Sequence, residues 1–216
     1  MPINRTIRHL FFLLLLVPLV NPAFAGDAKK EIPLACRTDC VSPYGQILGA
    51  DSDNVKAYSN CQSNCVIFEP NKWHGTYTGI KWQCVEYARR WLLIHKGMVY
   101  GDVDVATDIW NKIDHLTRVA TKKQIPLKSY VNGSVHAPEV GDLLIYARAF
   151  YNTGHVAVVT AVDLKKGLIK VGEQNYNNKP WAGNYARSIQ LYKKGDHYWL
   201  LDAYILGWKH VAVDAK

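Results

Sequence analysis

Gln83-Cys84-Val85-Glu86-Tyr87-Ala88-Arg89-Arg90-Trp91-Leu92-Leu93-Ile94-His95-Lys96-Gly97 reads as an amphipathic helix that opens on a cysteine. Val85, Ala88, Trp91, Leu92 and His95 share one stripe at helical spacing. Glu86 lies in the first turn, Lys96 in the last, and Gly97 is a stop signal. The preceding run, Gly75 to Gln83, is rich in turn formers, so Cys84 is predicted at or near the helix N-terminus. Free N–H groups and the positive dipole end there favour a thiolate, the nucleophilic form of cysteine.

The helix end alone is too weak to make that thiolate. Ionising a thiol of pKa about 8.5 at neutral pH takes a shift of roughly two units, near 2.7 kcal/mol. A helix terminus supplies about 0.3–1 kcal/mol. A catalytic Cys84 therefore needs an imidazolium beside it; a buried, inert cysteine is the competing reading.

Of the eight histidines, His155 fits that need. It opens Gly154-His155-Val156-Ala157-Val158-Val159-Thr160-Ala161-Val162, an apolar strand with no other ionisable group until Asp163. A base at the mouth of a buried strand is held rigidly and is within reach of a helix packed across the sheet. His95 shares the buried stripe and reads as a core residue, and the remaining histidines sit in loop-like or mixed contexts. The next strand, Leu168-Ile169-Lys170-Val171-Gly172, runs on into Glu173-Gln174-Asn175. A tight turn at Lys165-Lys166-Gly167 would bring Glu173 next to His155, where a carboxylate fixes the tautomer and steadies the imidazolium. A solvated strand-end carboxylate is the alternative.

The chain has five cysteines. Cys36 and Cys40 are four apart, as are Cys61 and Cys65, so on helices each pair would line one face. Asp51 to Phe68 reads as helical, with Asp51 and Ser52 as capping candidates. Two such helices packed antiparallel would join Cys36 to Cys65 and Cys40 to Cys61. Four cysteines allow three pairings, and only this geometry favours that one. A zinc site competes, although zinc sites more often use C-x2-C spacing. Either way Cys84 is left over, as an intermolecular partner or a reactive thiol.

Residues 1–25 read as a signal peptide: Arg5 and Arg8, an apolar run from Leu10 to Val20, and Ala23-Phe24-Ala25 before Gly26. That run is short of the roughly 20 residues of a membrane span. The expected location is periplasmic or secreted, without stable membrane insertion after cleavage, in a compartment that favours disulfides. Of the 216 residues, 26 are Lys or Arg and 18 are Asp or Glu, a net charge of +8 with no basic cluster. A diffuse positive balance suits an anionic surface such as a cell wall, and no nucleic-acid partner is expected. The expected organisation is a leader (1–25), a disulfide-bonded helical segment (26–70) and a catalytic domain (71–216).

Three stretches together carry a resemblance. They are Tyr77-Thr78-Gly79 with Lys81-Trp82-Gln83-Cys84-Val85-Glu86-Tyr87-Ala88-Arg89-Arg90-Trp91, then Gly154-His155-Val156-Ala157-Val158-Val159, then Glu173-Gln174-Asn175. In that order they resemble the CHAP family of cysteine, histidine-dependent amidohydrolases/peptidases. Within it they resemble the amidase domain of glutathionylspermidine and trypanothione synthetase/amidases. Pro138 to Asp142, leading into Leu143, fits the same pattern. The resemblance implies an α+β, papain-like fold with the nucleophile helix packed on an antiparallel sheet. It implies Cys84 as nucleophile, His155 as base, Glu173 as orienting acid and Gln83 in the oxyanion pocket. It also implies substrate contacts from Arg89 and Asn175; neither cofactor nor metal is expected. The chain departs from those amidases in its leader and its cysteine-rich segment, and no synthetase domain is read in it. The favoured substrate is a peptidoglycan peptide amide. Glutathionylspermidine-like conjugates, transfer to an acceptor amine and a non-catalytic wall-binding module are the other readings.

Overall fold

Gly97 ends the predicted helix where expected. It adopts φ 62°, and its N–H reaches back to the carbonyls of Leu92 and Leu93. The computed structural model describes residues 32–211, all within one compact unit that begins at Ile32. The predicted leader lies outside the described residues.

A 3-10 turn (Leu34–Cys36) leads to a hairpin of β1 (Ile47–Ala50) and β2 (Lys56–Tyr58). A second hairpin, β3 (Pro70–Trp73) and β4 (Thr76–Ile80), delivers the chain to helix α1 (Cys84–Lys96). Strand β5 (Met98–Val99), helix α2 (Asp108–Lys112), β6 (His115–Arg118) and β7 (Gln124–Val131) follow. Then come β8 (Leu143–Tyr146), β9 (Val156–Asp163), β10 (Leu168–Gly172), β11 (Arg187–Lys194), β12 (His197–Leu200) and β13 (Ile205–Val211). Nine strands form one antiparallel sheet in the order β12-β11-β10-β9-β8-β13-β7-β6-β5.

The central strands are covered on both faces, which is why β8 and β9 read as unbroken apolar runs. Leu143, Ile145, Val156 and Val158 face Tyr87, Ala88, Trp91 and Leu92 of α1. Their neighbours Leu144, Ala157 and Val159 point the other way, into a second core with Ile169, Val171, Ile189, Leu191 and Trp208. Helix α1 is covered further round than its stripe predicts. Glu86, Arg89 and Arg90 are buried as well, because β1–β2 and β4 cover its outer side. Val55 and Ala57 join the α1 core, and the Arg90 guanidinium donates to the Lys56 carbonyl at 2.8 Å.

The cysteine-rich segment corrects two expectations. No helix spans Asp51–Phe68 and none carries Cys36 and Cys40: the segment holds the 3-10 turn, the β1–β2 hairpin and coil. Asp51 does cap, but it caps a turn. Its Oδ1 accepts the N–H groups of Asp53 (3.1 Å) and Val55 (2.8 Å) and so closes the hairpin. Asp39 (φ 53°), Asn54 (φ 64°) and Cys61 (φ 66°) are left-handed, which a helix cannot accommodate. Sulfur pairing nevertheless follows the expected pattern, Cys36–Cys65 and Cys40–Cys61, across sequence separations of 29 and 21.

Candidate active site

Two glycines fix the approach of the elements that meet at Cys84. Gly79 on β4 lies against the first turn of α1, where a Cβ would come within 2.9 Å of the Glu86 backbone. Gly154, at φ 70°, lets the chain turn into β9 where a Cβ would sit 2.5 Å from the Tyr146 carbonyl oxygen. Cys84 thus starts the helix and His155 immediately precedes the strand packed beneath it.

Cys84 is the free cysteine among the described residues, and it is 9 % exposed. Burial is the largest influence and pushes its thiol pKa up, and the His155 imidazolium is the strongest of the groups that oppose it. The ring's hydrogen bond and the N–H groups of Val156 and Val85 add to that, and the net shift is below the ordinary value. His155 is 1 % exposed, and its Nε2 lies 2.8 Å from Glu173 Oε2. Burial alone would lower the imidazole; the Cys84 thiolate and Glu173 prevail and hold it up at about 9. Glu173 is also buried, which raises a carboxyl, yet His155 and Arg187 bring it below the ordinary carboxylate range. Thiolate, imidazolium and carboxylate stabilise one another in a water-poor setting. The arrangement is competent for nucleophilic attack followed by proton delivery.

Gln83, the N-cap residue, is held from both ends. Its carboxamide oxygen accepts from Asn175 Nδ2 at 2.8 Å. Its Nε2 makes only long bonds, 3.4 Å to Asn60 Oδ1 and 3.3 Å to the Cys65 carbonyl. Asn175 adopts φ 55°, and its Oδ1 is buried without a partner. Arg89 is buried between the rings of Tyr77 and Tyr100, and its guanidinium bonds the Gly101 carbonyl and Asp102.

A cleft of about 240 Å3 borders Gln83 and Val85, the residues either side of Cys84, and is lined by Phe68, Tyr77, Asp102 and Asp104 among others. A larger hollow of about 570 Å3 lies at the β9–β10 turn around Leu164, Lys166 and Lys170. Cys84, His155 and Glu173 line neither hollow, and the smaller one is the nearer to them, through Gln83 and Val85. Asp51, Asp53 and His95 stand close enough to hold a metal ion. The Asp51 oxygens, however, already serve the hairpin turn, Trp91 Nε1 (2.6 Å) and His95 (3.2 Å), so the group reads as structural.

The supporting residues escaped the sequence reading. Glu86, fully buried, accepts from Asn71, Thr78, Arg90 and Gln174. Gln174 also donates to the Gln83 carbonyl (3.0 Å) and accepts from the Tyr58 N–H (3.0 Å), joining β2, α1 and the end of β10. Behind Glu173 stand Arg187, Asp202 and Tyr146. The β10–β11 register brings Arg187 there: it pairs with Val171, two residues before Glu173.

The chain carries a CHAP domain, whose family model matches residues 75–175. Over 176 residues it is 31% identical to Trypanothione synthetase of Crithidia fasciculata, covering 81% of this chain and 26% of that protein. Over 185 residues it is 32% identical to the Bifunctional glutathionylspermidine synthetase/amidase of Escherichia coli (strain K12), covering 77% of this chain and 29% of that protein. The chain therefore spans little more than a quarter of the length of these relatives.

Proposed function

We propose that the protein is an exported, cysteine-dependent amidohydrolase with a papain-like arrangement of helix on sheet. The observation that carries this reading is the buried thiol–imidazole–carboxylate line from Cys84 through His155 to Glu173. The Cys84 thiolate attacks the amide carbonyl carbon, and negative charge moves to the oxygen. The Cys84 N–H, free at the helix start, and Gln83 Nε2 receive that oxyanion. His155 gives its proton to the departing amine nitrogen as the C–N bond breaks, leaving a thioester. It then takes a proton from water, whose oxygen attacks the thioester; the C–S bond breaks, the acid departs, and sulfur leaves as the thiolate beside the imidazolium, which restores the starting pair. Asn175 orients Gln83, and Arg89 orients Asp102 at the rim of the cleft.

The favoured substrate is a peptide amide of peptidoglycan. Two disulfides and the leader pattern support a compartment where such a polymer is met. A glutathione–polyamine conjugate is the second reading, favoured by Asp104 at the cleft, whose charge suits a cationic amine, and by the names of the relatives. Incubating the protein with purified peptidoglycan and with glutathionylspermidine separately, and reading products by mass spectrometry, distinguishes them. The first reading expects new amines from the wall polymer alone, the second free polyamine alone, and Cys84→Ala should give neither. Turnover that persists in Cys84→Ala would sink the thiol mechanism, and no turnover of either by the unsubstituted protein would leave a non-catalytic module.

A further inference from the structure

Resting on that reading of the site, we infer that Arg187 is a positioning residue. It grips Glu173 on the side away from His155, and Asp202 and Tyr146 hold it there. The two carboxylate oxygens of Glu173 are divided between two cations: Oε2 lies 2.8 Å from His155 Nε2, and Oε1 lies 2.6 Å from Arg187 Nε. Held at both oxygens, the carboxylate cannot swing away from the imidazole. Arg187 is fixed in turn. One terminal nitrogen donates to Asp202 Oδ2 and the other to the Tyr146 hydroxyl oxygen. The Tyr146 hydroxyl in turn donates a hydrogen bond to Asp202 Oδ2 at 2.7 Å. The Tyr176 ring lies 4.1 Å from the guanidinium carbon. Tyr146 also sets its ring edge against His155, with centroids 5.4 Å apart. Residues from β8, the mouth of β9, the end of β10, the start of β11 and the segment before β13 thus converge behind one imidazole.

This arrangement does more than hold shape. Glu173 steadies the imidazolium through its negative charge, and Arg187 cancels part of that charge at the far oxygen. Asp202 cancels part of Arg187. The ionisable groups facing Cys84, His155 and Glu173 are Tyr87 from α1, Tyr100 after β5, Tyr146 from β8, and Tyr176, Arg187 and Asp202. Removing the cation exposes His155 and Cys84 to a more negative surrounding. The imidazolium then keeps its proton to higher pH, and the thiol ionises at higher pH. Removing the Asp202 charge does the reverse. Opposite signs from two residues in contact are what a purely structural role does not produce.

The test follows iodoacetamide alkylation of Cys84 from pH 4 to 10 by mass spectrometry, with melting curves in parallel. It needs no substrate, and the other four cysteines are tied in disulfides. Arg187→Gln should move the alkylation profile up by about one pH unit, making labelling about tenfold slower on its rising limb. Arg187→Lys, keeping the charge without the fork, should fall between it and the unsubstituted protein. Asp202→Asn should move the profile down by about half a unit. Profiles that superimpose while melting temperatures fall overturn the inference, as does a shift of the same sign in Arg187→Gln and Asp202→Asn. Should Arg187→Gln fail to fold, the sign seen in Asp202→Asn decides. An unsubstituted protein that takes no label at any pH overturns the thiol reading and this inference with it.

Discussion

Helix α1 and the cystine segment both place key side chains four residues apart, yet different forces build them. In α1 the spacing follows backbone hydrogen bonding: the stripe residues Ala88, Trp91 and Leu92 are buried, and Gly97 closes the last turn. Between Cys36 and Cys65 the same spacing carries no helical meaning. There the chain is held by two cross-links and by side chains bonded to backbone. Asn60 Nδ2 donates to the Cys65 carbonyl (2.6 Å), and the Asn60 N–H donates to Asn178 (2.8 Å). A periodic pattern reports structure only where the apolar face supplies the energy; where covalent bonds supply it, the pattern is free to be something else.

Substitutions can break that contrast, and the largest effect belongs at the helix start. Cys84→Ser keeps size and position but replaces a thiolate by a hydroxyl, and should lower kcat/KM by about 10^4-fold. The melting temperature should stay within a few degrees. A comparable collapse in stability would show that the cysteine serves packing. Glu173→Gln removes the charge that steadies His155 and should lower kcat by 10^2- to 10^3-fold on the logic of tautomer control. The sign on pH follows from the raised imidazole: activity needs the imidazolium, so it is lost as pH rises through about 9. In Glu173→Gln that alkaline limb should move down toward the ordinary histidine range. An unmoved limb would detach Glu173 from the pair.

In the cystine segment the expected effect is on stability. Replacing Cys36 and Cys65 together by serine should cost about 3 kcal/mol, read as a lower denaturation midpoint. Loss of α1 helicity in the folded state of that variant would erase the distinction between the regions. Gly97→Ala is the smallest test. Forcing a Cβ into the left-handed position should cost about 1 kcal/mol, with activity unchanged.

The meeting of the candidate residues was legible for identifiable reasons. Cys84 stood at the junction of a turn-rich run and an apolar stripe, and His155 was the ionisable group opening an apolar strand. Glu173 lay one hairpin away, and β9 and β10 pair antiparallel as that reading needs. Arg187 was not legible, because it opens an alternating strand, Arg187-Ser188-Ile189-Gln190-Leu191, where charged residues usually face solvent. Only the β10–β11 register and the loop that brings in Asp202 turn it inward. Burial of Glu86 was hidden for a related reason. Its partners Asn71, Thr78 and Gln174 come from three separate segments, and no local pattern announces their meeting. Asp51 misled because a residue that caps helices also closes tight turns, and sequence does not distinguish the two.

The depth at which the cross-links lie has a practical side. Cys36 and Cys65 are both enclosed, whereas Cys40 is only partly covered beside the enclosed Cys61, so small thiols in solution reach the second bridge more readily than the first while the chain is folded. A laboratory buffer with mild reductant should therefore keep Cys84 fresh while leaving Cys36–Cys65 closed. Heated past its transition in the same buffer, the chain would lose both bridges, and refolding on cooling would separate samples melted with reductant from those melted without it.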